Sequence, residues 1–148
     1  MAIKTYKAST KKINGVKLEI EARGHKVTVD EPTKSGGSDE GMTPVEMMLG
    51  SLGACQAMTT VLFGQMYGIK IDEIRVDVEG DKDANSMMGN KPDVRSGFTN
   101  IRAHFYVKSN VPEARIRQLL SLVEQKCPVG ESIQNGVTIE NAALTMIC

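Results

Sequence analysis

Two cysteines in unlike surroundings could carry redox chemistry in this sequence. Cys55 lies in residues 47–69, a stretch with no charged side chain where a thiol could be shielded from water. Cys127 directly precedes Pro128, and proline is common at the first position of a helix. A helix N-terminus stabilises a thiolate through its unpaired N–H groups and its dipole, which lowers the thiol pKa and favours peroxide reduction. The alternative is two ordinary buried cysteines, because free Cys is among the most buried residue types.

Two methionines, Met87 and Met88, are candidates for substrate binding. They lie in residues 80–97, a polar segment without periodicity that we predict to be a mobile flap between two strands. Either both side chains are simply exposed, or they lie over an apolar substrate, because Met is common at adaptable binding surfaces.

The composition argues against several classes of partner. The 18 Lys and Arg residues balance the 18 Asp and Glu residues, so the chain lacks the net basic field that nonspecific binding to nucleic acid or anionic membrane requires. With His25 and His104 as the two histidines and no CxxC or HxxxH spacing, we predict no metal and no cofactor.

The cysteine count and the start of the chain point to a reducing compartment. Three cysteines, an odd number, do not suggest a secreted disulfide framework, and no basic start leads into an apolar segment. We therefore expect a cytoplasmic protein, and 148 residues are the length of a single domain spanning 1–148.

The first part of the chain predicts a three-stranded antiparallel meander. Asn14-Gly15 is a two-residue hairpin signal, and apolar and polar residues alternate after it. Arg23-Gly24 makes a second turn, so the meander should cover about residues 5–30, followed by a Gly- and Ser-rich loop over residues 32–41.

A long helix should follow that loop. Thr43 can be the N-cap, Pro44 suits the first helical position, and Glu46 completes a capping box. The helix should run to about Tyr67, with Gly68 in the left-handed conformation that ends it. Apolar or small residues cover most of its circumference, so we expect a buried helix that a second copy of the chain helps to cover, rather than a membrane span.

The remainder predicts a hairpin, a helix and a final strand. Alternation in residues 74–78 and 101–107 indicates two paired strands. A helix should begin at Pro112 and end near Lys126, and a short helical turn should begin at Pro128. A last strand should begin at Val137. The order βββ, α, ββ, α, β predicts an α+β domain with mostly antiparallel sheet.

Several motifs taken together resemble the OsmC/Ohr family. Residues 37–46 lead into residues 49–55, a proline-capped helix that carries one cysteine, and Cys127-Pro128-Val129 follows about seventy residues later. Asp30-Glu31-Pro32 resembles the stretch that precedes this helix in many OsmC-like sequences. The resemblance implies an intertwined homodimer with two long central helices between sheets and two active sites at the subunit interface.

The resemblance also implies a thiol-dependent peroxidase acting on organic or lipid hydroperoxides. By position, Cys55 matches the peroxidatic cysteine and Cys127 the resolving one, and a dithiol partner, a lipoyl protein or a thioredoxin-like protein, would reduce the resulting disulfide. Cys55 must ionise to attack, and a thiol among uncharged residues needs a nearby cation or hydrogen-bond donor to do so.

The sequence departs from the family pattern at the residues that should activate the thiol. The family's peroxidases carry a glutamate directly after the proline, where this chain has Val45, and Glu46 comes one residue later, about 100° around the helix. Arg23 and Arg95 are the candidates for the family's arginine. The alternative function is therefore a noncatalytic dimer that binds a small hydrophobic ligand in its interface cleft.

Overall fold

The computed structural model of the chain describes residues 1–87 and 93–148, which form two compact units, Met1–Gly50 and Ser51–Cys148. The strands are β1 (Ser9–Asn14), β2 (Lys17–Ala22), β3 (His25–Val29), β4 (Ile71–Asp81) and β5 (Asn100–Ser109). The helices are α1 (Pro44–Met66), α2 (Glu113–Lys126) and α3 (Pro128–Asn135), with one 3-10 turn at Thr33–Ser35. The predicted α+β class with antiparallel sheets and a long helix is confirmed.

The first unit is built on the predicted meander. Strands β1, β2 and β3 lie in that order, and each neighbouring pair is antiparallel. Its turns need left-handed backbone, which Gly15 adopts at φ 56°, and Arg23 and Gly24 adopt at φ 52° and 83°. The sheet begins at Ser9, later than predicted. Residues 5–8, which we predicted to be strand, are exposed and pair with none of the described strands.

A buried carboxylate organises the loop after β3. Asp30 is 2% exposed, and its Oδ1 accepts a hydrogen bond from the Glu31 N–H at 2.8 Å. Its Oδ2 accepts from the Ser38 and Glu40 N–H groups at 3.1 and 3.2 Å. The Asp30 N–H itself donates to the Met42 carbonyl at 3.2 Å. One side chain therefore satisfies three loop N–H groups that no strand pairs.

These donors also set the charge state of Asp30. Burial alone would raise the pKa of the carboxyl, but the N–H groups of Glu31, Glu40 and Ser38 together hold the pKa below its ordinary value. The Lys17 ammonium acts in the same direction, and it also pairs with Glu40 at 2.6 Å.

Helix α1 has the predicted caps at both ends. The Thr43 N–H donates to Glu46 Oε2 at 2.7 Å and the Glu46 N–H donates to Thr43 Oγ1 at 3.2 Å, which is a capping box. At the other end, Gly68 is left-handed at φ 69° and the Ile69 N–H donates to the Gly64 carbonyl at 2.7 Å. This is a Schellman arrangement, in which a glycine past the last turn lets the chain reverse.

The two faces of α1 differ in exposure. The buried residues follow helical spacing along one face, and they are Leu52, Gly53, Gln56, Thr60 and Gly64. The opposite face stays open in the single chain, with Met58, Leu62 and Met66 exposed by 66%, 56% and 72%. We call the exposed row of Met58, Leu62 and Met66 the open stripe. In one chain alone, the described residues bury one face of α1 and leave the open stripe exposed. The expected coverage of this stripe by a second copy stays a prediction.

The second unit packs helices against a hairpin. Strands β4 and β5 are antiparallel over their full length, with Val76 opposite Phe105. The core consists of Ile69, Leu119 and Val123, and Phe63 and Ile71 pack on it with other partly buried residues. Helix α2 contributes its two buried residues, Leu119 and Val123, to this core.

The predicted last strand is absent. Residues 137–148 adopt neither helix nor strand, and every one of them is exposed. The exposed apolar side chains of this tail are Val137, Ile139, Leu144, Met146 and Ile147. A strand forms only when another strand accepts its backbone hydrogen bonds, and this segment is paired with none of the described strands.

Candidate thiol site

The structure brings the thiols of Cys55 and Cys127 together. Cys55 is on α1 and partly buried, whereas Cys127 lies at the junction of α2 and α3 and is 0% exposed. The Cys55 side chain lies close enough to Cys127 to raise the pKa of that thiol. In this arrangement the partly exposed Cys55 sulfur can react with a dissolved compound. The buried Cys127 sulfur can then react with the oxidised Cys55.

Cys127 ends one helix and begins the next. Its N–H donates to the Val123 carbonyl at 2.8 Å, which completes α2. Its Sγ accepts the Gly130 N–H at 3.4 Å and so serves as the N-cap of α3. The junction fixes both the backbone and the sulfur of this residue, because each is held by a different helix.

The expected lowering of the Cys127 pKa is wrong. Burial raises the pKa of this thiol, and the neighbouring Cys55 side chain raises it further. The Gly130 and Val129 N–H groups lower the pKa, as expected at a helix start, but they do not outweigh burial. Cys127 is thus a protonated thiol near neutral pH rather than a reactive thiolate.

Small residues let the surrounding elements approach the thiols. A Cβ on Gly53 would lie 3.2 Å from Val78 Cγ2 and 3.4 Å from the Val76 carbonyl, so α1 packs closely on β4. A Cβ on Gly130 would lie 3.5 Å from both Cys127 Sγ and Leu52 Cδ1. The first turn of α3 therefore lies against the part of α1 that carries Cys55.

The other predicted site residues lie in varied settings. Glu46 is engaged in the capping box with Thr43, and Arg23 occupies the exposed turn between β2 and β3. Arg95 is exposed in the segment between β4 and β5. Catalytic roles for these three residues stay predictions.

The two methionines of the flap are only partly described. Met87 is 80% exposed, and Met88 lies outside the described residues. Substrate binding by this pair stays a prediction.

Two features near the thiols were not foreseen from the sequence. The Gly130 N–H that caps on sulfur could have been found from Cys127-Pro128-Val129-Gly130, because an N-cap side chain accepts from the third helical residue. Gln56, next to Cys55, is 8% exposed, and its Oε1 has no partner among the described residues. No sequence signal pointed to it, since burial of one helix face depends on what packs there.

Two further properties concern metal ligands and the length of α1. In residues 1–87 and 93–148, no group of three or more His, Cys, Asp or Glu side chains could hold a metal ion. By length and composition alone α1 could cross a membrane, a property that core helices of soluble proteins share.

Comparison with known proteins gives a consistent result. The family model described as OsmC-like protein matches residues 36–141. A hydroperoxide reductase of Mycoplasma pneumoniae is 25% identical over 122 residues, which cover 82% of each chain.

Solved structures share the fold. The crystal structure of an OsmC-like protein from Mycoplasma pneumoniae has a TM-score of 0.77 at 22% identity and covers 88% of both chains. An organic hydroperoxide resistance protein, OsmC, from Legionella pneumophila has a TM-score of 0.67 at 17% identity and covers 92% of this chain and 93% of that one. At these identities the likeness establishes the fold alone.

Proposed function

The chain belongs to the OsmC-like protein family, and from this premise we propose that it reduces organic hydroperoxides with the thiols of Cys55 and Cys127. The observation that carries the proposal is the meeting of these two thiols, one partly open and one buried, from residues 72 positions apart. The hydroperoxide reductase of Mycoplasma pneumoniae supports the choice of reaction.

The first step consumes the hydroperoxide at Cys55. The Cys55 thiolate attacks the distal oxygen of ROOH, an S–O bond forms and the O–O bond breaks. The leaving alkoxide takes a proton from solvent and departs as ROH. Sulfur has lost two electrons and is now a sulfenic acid. Because Cys55 is the more exposed of the two thiols, it is the one that a solute can reach.

The second step closes a disulfide. Cys127 attacks the Cys55 sulfur, an S–S bond forms, and the sulfenic hydroxyl leaves as water with the Cys127 proton. A dithiol must then reduce the disulfide, and a lipoyl protein or a thioredoxin-like protein would supply it in a reducing cytoplasm. We assign residues 1–148 to one domain acting as a homodimer.

The open stripe supports a homodimer. Met58, Leu62 and Met66 form a continuous apolar row on α1 that stays exposed among the described residues, and a second copy of the same helix would bury it. The family match also crosses the boundary between the two units, which supports a single domain.

Cysteine variants test the reaction. Each is compared in a Cys148→Ser background, because Cys148 is exposed and could react independently. Cys55→Ser should abolish consumption of cumene hydroperoxide with a dithiol reductant. Cys127→Ser should allow one turnover and leave a sulfenic acid that dimedone traps. Wild-type turnover by both variants would contradict the proposal.

The alternative, a noncatalytic dimer that binds a hydrophobic ligand, predicts a different outcome. A Cys55–Cys127 disulfide should appear by mass spectrometry after one equivalent of hydroperoxide if the chain is a peroxidase. The alternative predicts two free thiols after the same treatment. The contact between the thiols favours the peroxidase.

A further inference from the structure

The charge of the attacking sulfur needs a partner that the sequence did not identify. In the proposed reaction Cys55 carries a negative charge, yet residues 47–69 of its own helix and the turn after it contain no charged side chain. An ionised group in such surroundings is stabilised by hydrogen bonds from neighbouring donors. One neighbour from outside α1 is Cys127, at the start of α3.

Cys127 has the hydrogen-bond polarity of such a donor. A thiol has one S–H to donate and accepts weakly through its lone pairs. The accepting side of Cys127 Sγ is occupied by the Gly130 N–H at 3.4 Å, and the residue is 0% exposed. Cys55 is the neighbouring side chain that raises the pKa of Cys127, so its sulfur is an acceptor within reach of this S–H.

The protonation state of Cys127 agrees with a donor role. Burial, followed by the interaction with Cys55, raises the pKa of Cys127, so this thiol keeps its proton near neutral pH. The N–H of Gly130 donates to the Cys127 sulfur and so polarises its S–H bond, because successive hydrogen bonds in a chain strengthen one another.

We propose that Cys127, oriented by the Gly130 N–H, donates its S–H to the Cys55 thiolate and so activates Cys55 before it closes the disulfide. This assignment rests on the proposed function, because only a reacting Cys55 needs activation. The proton stays on Cys127 while Cys55 attacks the hydroperoxide. It leaves only in the second step, as part of the water that the disulfide step releases.

Two kinds of substitution distinguish the role of Cys127 as a hydrogen-bond donor from its role in forming the disulfide. Cys127→Ser keeps a donor and an acceptor at the same place but cannot form the disulfide. Cys127→Ala removes the donor, and Cys127→Val removes it while filling more of the buried space. All are made in the Cys148→Ser background, which leaves Cys55 as the single cysteine in each variant. The reference protein keeps both Cys55 and Cys127.

The readout is the rate at which iodoacetamide alkylates Cys55 as a function of pH, measured at that residue by mass spectrometry. Loss of a hydrogen bond to a charged group is worth about tenfold or more in the ionisation equilibrium, so Cys127→Ala and Cys127→Val should raise the pH midpoint by about one unit. The net rate at pH 6 should fall only about threefold to fourfold, since a more basic thiolate is more nucleophilic. Cys127→Ser should keep the midpoint within about 0.3 units of the reference.

Either of two results overturns the inference. One is an unchanged midpoint in Cys127→Ala and Cys127→Val. The other is a midpoint in Cys127→Ser that rises as far as in Cys127→Ala. Serine keeps a hydrogen-bond donor and alanine does not, so equal midpoints would mean that Cys127 acts only by packing. Alkylation uses no hydroperoxide, so the inference can hold while the proposed peroxidase activity fails. Normal first turnover with an unchanged alkylation midpoint in Cys127→Ala would instead reject the donor role alone.

Discussion

The carboxylate of Asp30 holds the loop before α1 through three backbone donors. The sequence indicated a loop there from its glycines, but not which side chain would satisfy the loop N–H groups. That choice depends on the burial of Asp30 directly after β3, which no local pattern in the sequence indicates.

Replacing this carboxylate should remove an acid-sensitive contribution to stability. The pKa of Asp30 is lowered in the folded chain, so its stabilisation is present above the unfolded pKa of about 3.9 and lost as pH falls through the folded value. Asp30→Asn should lower the urea midpoint at pH 7, because an amide nitrogen cannot accept one of the N–H groups. The deficit should shrink below about pH 4. Asp39→Asn, at an exposed loop position, is the matched control.

Gln56 should be replaceable by an apolar residue of similar size. Its buried Oε1 has no partner among the described residues, and leaving such an atom unsatisfied costs about 1–3 kcal/mol. Gln56→Met should leave the free energy of unfolding unchanged or raise it by about 1 kcal/mol in urea denaturation. Gln65→Met, at an exposed position of α1, should change it by less than about 0.5 kcal/mol. A large loss in Gln56→Met alone would mean that Oε1 has a bound partner.

The two cysteines could be predicted from the sequence as a thiol pair, but the raised pKa of Cys127 could not. Cys55 on a capped helix and Cys127 before a proline were visible in the sequence, and the structure brings them together. The raised pKa of Cys127 was missed because the helix start is a local property, whereas the burial that outweighs it comes from packed neighbours.

At the scale of elements, local signals were the dependable ones. Capping boxes and two-residue turns involve only neighbouring residues, so Thr43, Gly68 and the turn at Arg23-Gly24 were placed correctly. The strand expected at Val137 failed because pairing requires a second strand, which no local pattern supplies.

Replacement of two glycines of α1 by alanine should change the stability of the protein in opposite directions. A Cβ on Gly64 would lie 2.7 Å from the Ile69 carbonyl oxygen, so Gly64→Ala must displace backbone and should cost about 1–3 kcal/mol. A Cβ on Gly50 meets nothing within 4 Å, and Gly50→Ala should stabilise by about 0.5–1 kcal/mol because alanine loses less entropy in a helix. Thermal or urea unfolding of both variants measures the difference. Equal effects would contradict the close approach at Gly64.

For the whole molecule, the open stripe determines the expected assembly. Light scattering should find the wild-type chain as a dimer. Leu62→Glu places a charge in the middle of the apolar row and should yield monomers, because burying an unpaired carboxylate is costly. Gln118→Glu, at an exposed polar position of α2, should remain dimeric. A monomeric wild type, or a dimeric Leu62→Glu, would show that this stripe is not the interface.

The separation of Cys55 and Cys127 along the chain has a consequence for the unfolded protein. A bond between residues 72 positions apart would close a long loop and remove denatured-state entropy worth on the order of 4 kcal/mol. Oxidation would therefore lower the population of open chains that a protease can cleave by roughly a thousandfold. A molecule that an oxidant has just converted to the disulfide form would be degraded most slowly, until a dithiol reduces the bond.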